Sequence, residues 1–294
     1  MLGLVPNKPA WDVPDRLCSA VEYLVLGGEV DDYRAAEDPW RAFRAIVSMR
    51  AQFVERFVRE QPVQTNEPQR CWALLPLFLT IARDAQRPLD LLELGTSAGL
   101  NLLWDRYRYE YAGGAWGSED AGLVLGGEER AAFPTALLAT NVEIRSRRGV
   151  DLNPLAITDG GDLRLLASFR PPGEPRERLL EAAALARRHP PQLVRGDYLE
   201  LLPELLAERS DDALTVVFQT ISTIYLPLAD RLRLRDLIDA AGRDGPLAWI
   251  STPTPEEHGL LGTHYPLELA VWPGGERRLV AQMANSGEWL EWWE

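Results

Sequence analysis

The run Leu89-Asp90-Leu91-Leu92-Glu93-Leu94-Gly95-Thr96-Ser97-Ala98-Gly99-Leu100-Asn101 gathers the residue types in this chain best suited to holding a ligand. An apolar stretch ends in an acid, turns through small residues and leads into a segment whose pattern predicts a helix near Gly99–Tyr107. Glycine at 95 lets a backbone come close to a ligand, and Gly99 lets the helix start pack on the strand. Glu93 falls at the carboxyl end of its strand, where open α/β sheets bind ligands. The dinucleotide fingerprint Gly-x-Gly-x-x-Gly fails, because Ser97 holds the middle glycine's place; this disfavours a nicotinamide-dependent oxidoreductase. A P-loop fails too, since Leu100-Asn101 stand where lysine and a hydroxyl residue are needed. The competing structural reading is a strand-to-helix turn that needs small residues.

Other side chains invite two readings each. Asn66, Glu67 and Arg70 precede a predicted helix over Pro68–Arg83 and could cap it, or could touch a ligand, an arginine being suited to a carboxylate. Asn101 and Asp105 lie four residues apart on one helix face, with Tyr107 just beyond. They would satisfy the base of the following segment or line a substrate pocket. Tyr107, Tyr109 and Tyr111 share one face of a strand, as a core row does. The histidines are His189, His258 and His264. Their spacing fits no short metal pair and no cysteine joins them, so no metal site is expected. His264 and Tyr225 remain as weak candidates for a general base.

The elements that must position these groups change character along the chain. Apolar residues from Trp40 to Val58 recur at helical spacing, begin at Asp38-Pro39 and stop at Gln61-Pro62, which predicts one long helix. After Pro88, short apolar runs alternate with helical stretches. Strands are predicted at Leu89–Leu94, Val142–Leu152, Gln192–Arg195, Leu214–Gln219 and Leu247–Ser251, with helices near Arg176–Arg188, Leu199–Arg209 and Ala229–Ala241. Leu267–Trp272 and Arg277–Met283 flank Pro273-Gly274-Gly275, which predicts a closing antiparallel hairpin. The expectation is therefore an α/β fold: a helical N-terminal lid or cap over 1–88, then an α/β domain over 89–294. A β-rich insertion is expected at about 107–148.

The acidic-x-Gly-x-x-x-Gly pattern of Glu93–Gly99 resembles the first motif of class I S-adenosylmethionine-dependent methyltransferases. Three later segments follow in that family's order. Arg148-Gly149-Val150-Asp151-Leu152 resembles its second strand, whose terminal acid accepts from the ribose hydroxyls. Val194-Arg195-Gly196-Asp197-Tyr198 resembles the third strand end, where an aspartate accepts from the adenine amino group. Val216-Val217-Phe218-Gln219-Thr220 with Tyr225 resembles the fourth strand and the loop facing the methyl. The resemblance implies a Rossmann-like, mostly parallel sheet that binds S-adenosylmethionine through Glu93, Gly95, Thr96, Ser97, Gly99, Asp151, Asp197, Tyr198 and Gln219. Asp151 comes 52 residues after Gly99, whereas a ribose acid is expected about 20 on, so Glu119 and Asp120 stay open as alternatives.

Gln64-Thr65-Asn66-Glu67, the Glu93–Tyr107 region, Asp151-Leu152-Asn153-Pro154 and Trp272-Pro273-Gly274-Gly275 together resemble a bacterial family, domain of unknown function 2332. That likeness implies a methyltransferase-like core with a helical N-terminal part and supplies no reaction of its own.

Composition sets the outer limits. A net charge of −13 over 294 residues argues against nucleic acid as partner, since neutralising phosphates takes lysine and arginine. Arg145, Arg147 and Arg148 read as a solvated strand edge. No apolar run approaches the roughly 18 residues that cross a bilayer, and Met1–Trp11 lacks a secretory pattern. Two cysteines, Cys18 and Cys71, suit a reducing cytosol, so a cytoplasmic protein is expected. The expected function is methyl transfer from S-adenosylmethionine to a small-molecule acceptor. The alternative is a protein of the same fold that binds this or another nucleoside as sensor or scaffold.

Overall fold

The computed structural model describes residues 12–254 and 264–294; Met1–Trp11 and His258, named above, lie outside them. Its helices are α1 (Asp12–Leu26), α2 (Pro39–Met49), α3 (Ala51–Glu60), α4 (Arg70–Ala85), α5 (Gly160–Ser168), α6 (Glu174–Arg188), α7 (Tyr198–Ala207) and α8 (Leu228–Asp244). Its strands are β1 (Leu89–Leu94), β2 (Arg108–Tyr111), β3 (Gly114–Trp116), β4 (Val124–Gly126), β5 (Glu128–Ala131) and β6 (Ile144–Asp151). They continue with β7 (Gln192–Arg195), β8 (Leu214–Phe218), β9 (Leu247–Ser251), β10 (His264–Trp272), β11 (Arg277–Ala284) and β12 (Trp289–Trp292).

The chain divides into two compact units, Met1–Thr65 with Leu155–Ala183 and Asn66–Pro154 with Ala184–Glu294. The division therefore does not fall at residue 88. Helix α4 belongs with the sheet because it is apolar on most sides: Phe78 stacks on Trp104 at 4.4 Å and meets Phe218 edge-on at 5.2 Å.

In the first unit, Val21 and Leu24 of α1 pack with Phe43 and Ile46 of α2. The start read at Asp38-Pro39 is present, with the Asp38 carboxylate accepting from the Arg41 amide at 2.9 Å. The single long helix is not. Arg50 adopts φ −111°, ψ 27° and separates α2 from α3, while its guanidinium donates to the Glu29 carbonyl at 2.9 Å.

The second unit is built on a nine-stranded sheet in the order β5-β12-β11-β10-β9-β8-β1-β6-β7. Strands β7, β6, β1, β8 and β9 are mutually parallel, and β10 and β11 form the expected antiparallel hairpin beside them. From β1 the chain works outward on one side through β6 and β7, then returns to add β8 and β9 on the other. That reversal defines a topological switch point between β1 and β8. Between β1 and β6, β2, β3 and β4 make a three-stranded sheet, and β5 joins the main sheet beside β12. No sequence signal singled out β12. Among the described residues, no helix is long and apolar enough to cross a membrane.

One face of the sheet is sealed by α7 and α8 over Leu92, Val150, Val217, Trp249 and Trp272. Gly242 of α8 and Gly275 both rest on the Trp272 indole, so closely that a Cβ at either position would overlap the ring. Gly242→Ala therefore forces α8 away from β10. The expected result is a loss of about 1–3 kcal/mol despite alanine's better helix propensity, read from urea unfolding.

Candidate functional site

The site grows from the carboxyl end of β1, which is buried along nearly its whole length. Glu93 is 1% exposed; its carboxyl accepts from the Thr96 hydroxyl at 2.6 Å and from the Asn101 amide nitrogen at 3.2 Å. Asn101 donates its other proton to the Thr220 hydroxyl at 3.3 Å and accepts from the Cys71 thiol at 3.4 Å. One amide thus ties β1 to α4 and to the end of β8.

Between Glu93 and Asn101 the chain turns through Gly95, Ser97 and Gly99, all at positive φ (73°, 52° and 73°). Gly99 makes its close approach to β7 and not to β1: a Cβ there would lie 2.7 Å from Pro191, at the foot of β7. At Gly95 the missing side chain makes room for Ser222 of the turn after β8, so a substitution at 95 would displace that turn rather than simply block a ligand. The helix expected over Gly99–Tyr107 is a 3₁₀ segment, Leu100–Arg106. Carbonyls that an α-helix would use are taken by tyrosines: Tyr107 donates to Leu100 O at 2.6 Å and Tyr109 to Trp104 O at 2.7 Å.

Tyr107 is accordingly a core residue, fully buried with its hydroxyl committed to backbone, and lines no substrate pocket. Asp105 pairs with Arg147 at 2.5 Å and anchors the base of the insertion. Asn66 does not cap α4; its side-chain oxygen accepts from the Leu100 amide at 3.0 Å and so starts the 3₁₀ segment. Glu67 accepts from the Gln69 amide at 3.1 Å. Arg70 is buried and donates to Thr220 O at 3.3 Å, to Asn285 O at 2.8 Å and to the Asn285 side chain at 3.1 Å. It braces the ends of β8 and β11.

Asp151 ends β6, next to the glycine turn and half-buried. One of its oxygens accepts from the Ser97 amide and the other from the Asn153 amide, each at 2.8 Å. Asp197 caps α7 by accepting from the Leu199 amide at 2.8 Å, and Tyr198 follows as the first helical residue. Gln219 is buried after β8, where its side-chain oxygen accepts from the Thr252 hydroxyl at 2.8 Å. Tyr225 closes the 3₁₀ turn Ser222–Tyr225 and is 51% exposed. His264 opens β10 with its ring edge-on to Trp289 at 4.8 Å.

Sequence reasoning missed Ile221, Thr252 and Asn285, and named Thr220 only as the end of the fourth-strand run. Ile221 is a β-branched residue at φ 64°, a strained conformation that costs on the order of 1–3 kcal/mol and recurs at functional turns. It is held there by its amide, which donates to the Thr252 hydroxyl at 2.5 Å. The hydroxyl-rich runs Thr220–Thr223 and Ser251–Thr254, directly after predicted strands, were the available signal. Asn285 carried none.

Burial raises the Glu93 carboxyl from an ordinary value near 4.5 to about 8, and the Asp151 charge adds to the rise. Burial likewise keeps the Cys71 thiol protonated. Arg145, Arg147 and Arg148 pair with Asp90, Asp105 and Glu208 respectively.

The strand order defines a doubly wound α/β protein whose topological switch point lies between β1 and β8. The chain belongs to the bacterial family described as "Uncharacterized protein conserved in bacteria (DUF2332)", matched over residues 3–292. No curated protein matches it. Among solved structures it is similar to an S-adenosylmethionine-dependent methyltransferase from Clostridium acetobutylicum. Identity is 11% and the TM-score 0.27, with 79% of this chain and 77% of that one covered. At that score the likeness decides nothing about the site.

The raised Glu93 value has a definite sign in stability. Between about pH 4.5 and 8 the folded chain keeps a proton that the unfolded chain loses, so folding weakens as pH rises through that window. The slope is up to about 1.4 kcal/mol per pH unit from this group. Glu93→Gln keeps the shape and removes the titration. Urea unfolding across pH 5–8 should show the variant gaining on the native chain as pH rises; a constant difference would mean that Glu93 is ionised in the fold.

Proposed function

We propose that this protein binds S-adenosylmethionine in the crevice between β1 and β8 and transfers its methyl group to a small-molecule acceptor. The observation that carries the reading is the switch point itself: two carboxyl groups, Glu93 and Asp151, stand on adjacent strand ends around one glycine turn. Open α/β sheets bind nucleosides and their relatives at such a place.

The residues present suit the ligand. Each oxygen of Asp151 carries a single amide bond and keeps a lone pair, so the half-exposed carboxylate can accept from two vicinal hydroxyls of a ribose. Asp197 and Tyr198 follow the neighbouring strand β7, and Gln219 and Thr220 directly follow β8, which supports their roles toward the base and the methyl end. The cofactor supplies a methyl group on a positively charged sulfur, open to direct displacement. The chain's own tasks are then to orient the acceptor and, where the nucleophile is protonated, to take its proton. Tyr225 and His264 are the candidates for that second task. An acceptor other than nucleic acid agrees with a chain of net charge −13 whose arginines on β6 are already paired with acids.

Thermal unfolding with each ligand tests the reading. S-adenosylmethionine and S-adenosylhomocysteine at about a hundred times their dissociation constant should each add about 2.7 kcal/mol and raise the midpoint by several degrees, with NAD inert. Asp151→Asn should shrink the adenosyl shift. An NAD shift, or none with either adenosyl ligand, would contradict the proposal. A shift without methyl transfer to any small acceptor would make the protein a binder rather than an enzyme.

A further inference from the structure

Besides Glu93, the described strands bury one other carboxyl group, Glu268 of β10, which is 7% exposed. Its register fixes where it stands. Glu268 lies opposite Ser251, the last residue of β9, and the pairs Ala270–Trp249 and Trp272–Leu247 follow on the same face. Those four side chains belong to the apolar cluster beneath α7 and α8. Glu268 and Ser251 continue the row to the carboxyl edge of the parallel strands, where an apolar pair would extend the cluster with no polar group to satisfy.

A buried carboxyl group is costly unless a cation or several donors meet it. Elsewhere cations do: Asp12 meets Arg16, Glu22 meets Arg34 and Arg176, and the charge of Arg70 acts on Glu93. Among the described residues Glu268 has one hydrogen bond, from the Ser251 hydroxyl at 3.2 Å, and no ion pair. Its second oxygen is open to a further donor. Arg231, near the start of α8, donates to the Thr254 hydroxyl at 2.6 Å.

The position of the acid says which ligand it would meet. On the adenosyl reading, Asp151 and Asp197 hold the nucleoside on the β6 and β7 side of the switch point, with the methyl end toward β8. The acceptor then enters from the opposite side, over β8, β9 and β10, and Glu268 is the acid buried there.

We propose that Glu268 is an acceptor-binding residue: the methyl acceptor is a small amine whose ammonium group pairs with the Glu268 carboxylate. The inference rests on the adenosyl reading above and adds the class of the second substrate. Two strand spacings, about 10 Å, separate β10 from β8. The ammonium is thus the handle, and the methylated atom is a second, uncharged group farther along the same molecule. A net charge of −13 favours the approach of a cation over that of an anion.

Ligand-observed NMR on the full chain, with and without S-adenosylhomocysteine, tests this with hexylamine, hexanol and hexanoate as probes. Hexylamine should bind, and the alcohol and the carboxylate should bind about tenfold more weakly or worse. Glu268→Gln keeps the shape and an acceptor for Ser251. It should weaken hexylamine by about the same factor and leave S-adenosylhomocysteine binding unchanged. In the native chain labelled with 15N, hexylamine should move the Ser251 and Glu268 amide signals, a readout that requires no variant. No binding of hexylamine, equal binding of the three probes, full hexylamine affinity in the folded variant, or shifts confined to surface acids would each overturn the proposal. If S-adenosylhomocysteine fails to bind, the adenosyl reading falls on that titration alone. The amine preference of the bare chain, and its loss in Glu268→Gln, then still decides whether Glu268 holds a cation.

Discussion

A carboxyl group taken out of water and hydrogen-bonded only by neutral donors constrains everything those donors touch. Glu93 imposes that constraint here. Asn101 spends one amide proton on Glu93 and the other on Thr220, so the segment after the glycine turn must run close to the end of β8. Thr220 is fixed in turn by Arg70, whose remaining donors reach Asn285 beyond β11. Ile221, the next residue, is held in a left-handed conformation by Thr252. The polar groups at the carboxyl ends of β1, β8, β9 and β11 therefore form a connected set, in which a change at one member leaves a buried donor or acceptor unpaired at the next.

This arrangement explains why the crevice is polar although the strands that lead to it are apolar. Strands β1, β8 and β9 bury almost every side chain, as parallel strands covered on both faces do. Polarity begins where the strands stop. At the switch point the half-exposed Asp151 and the buried Glu93 stand on adjacent strand ends. The Asp151 carboxylate accepts from the Ser97 and Asn153 amides, whereas Glu93 is held by the Thr96 hydroxyl and the Asn101 amide.

Much of this was legible in the sequence because local pattern and global fold agree. The parallel strands, the glycine turn, the insertion and the closing hairpin all follow from apolar runs and turn residues. The misreadings have physical causes. A helix was expected after Gly99 because its apolar spacing suits one, yet tyrosine hydroxyls from the insertion claim the carbonyls a helix would need. Tyr107 looked available to a substrate because sequence cannot say which way a hydroxyl turns. Gly95 looked like a space for ligand and is a space for Ser222. Arg70 looked suited to an anion and instead braces two strand ends. The last two outcomes depend on partners more than a hundred residues away, which no local window contains; the tyrosine bonds span only 7 and 5 residues and turn on how the side chains fold back.

The central claim, that an adenosyl ligand lies at the β1/β8 switch point against Glu93 and Asp151, is tested most directly by a crystal structure of the chain with S-adenosylhomocysteine bound. The account predicts the ribose hydroxyls on the Asp151 carboxylate and the amino-acid end directed toward Glu93. A ligand seated elsewhere, or one in the crevice whose ribose makes no contact with Asp151, would contradict it.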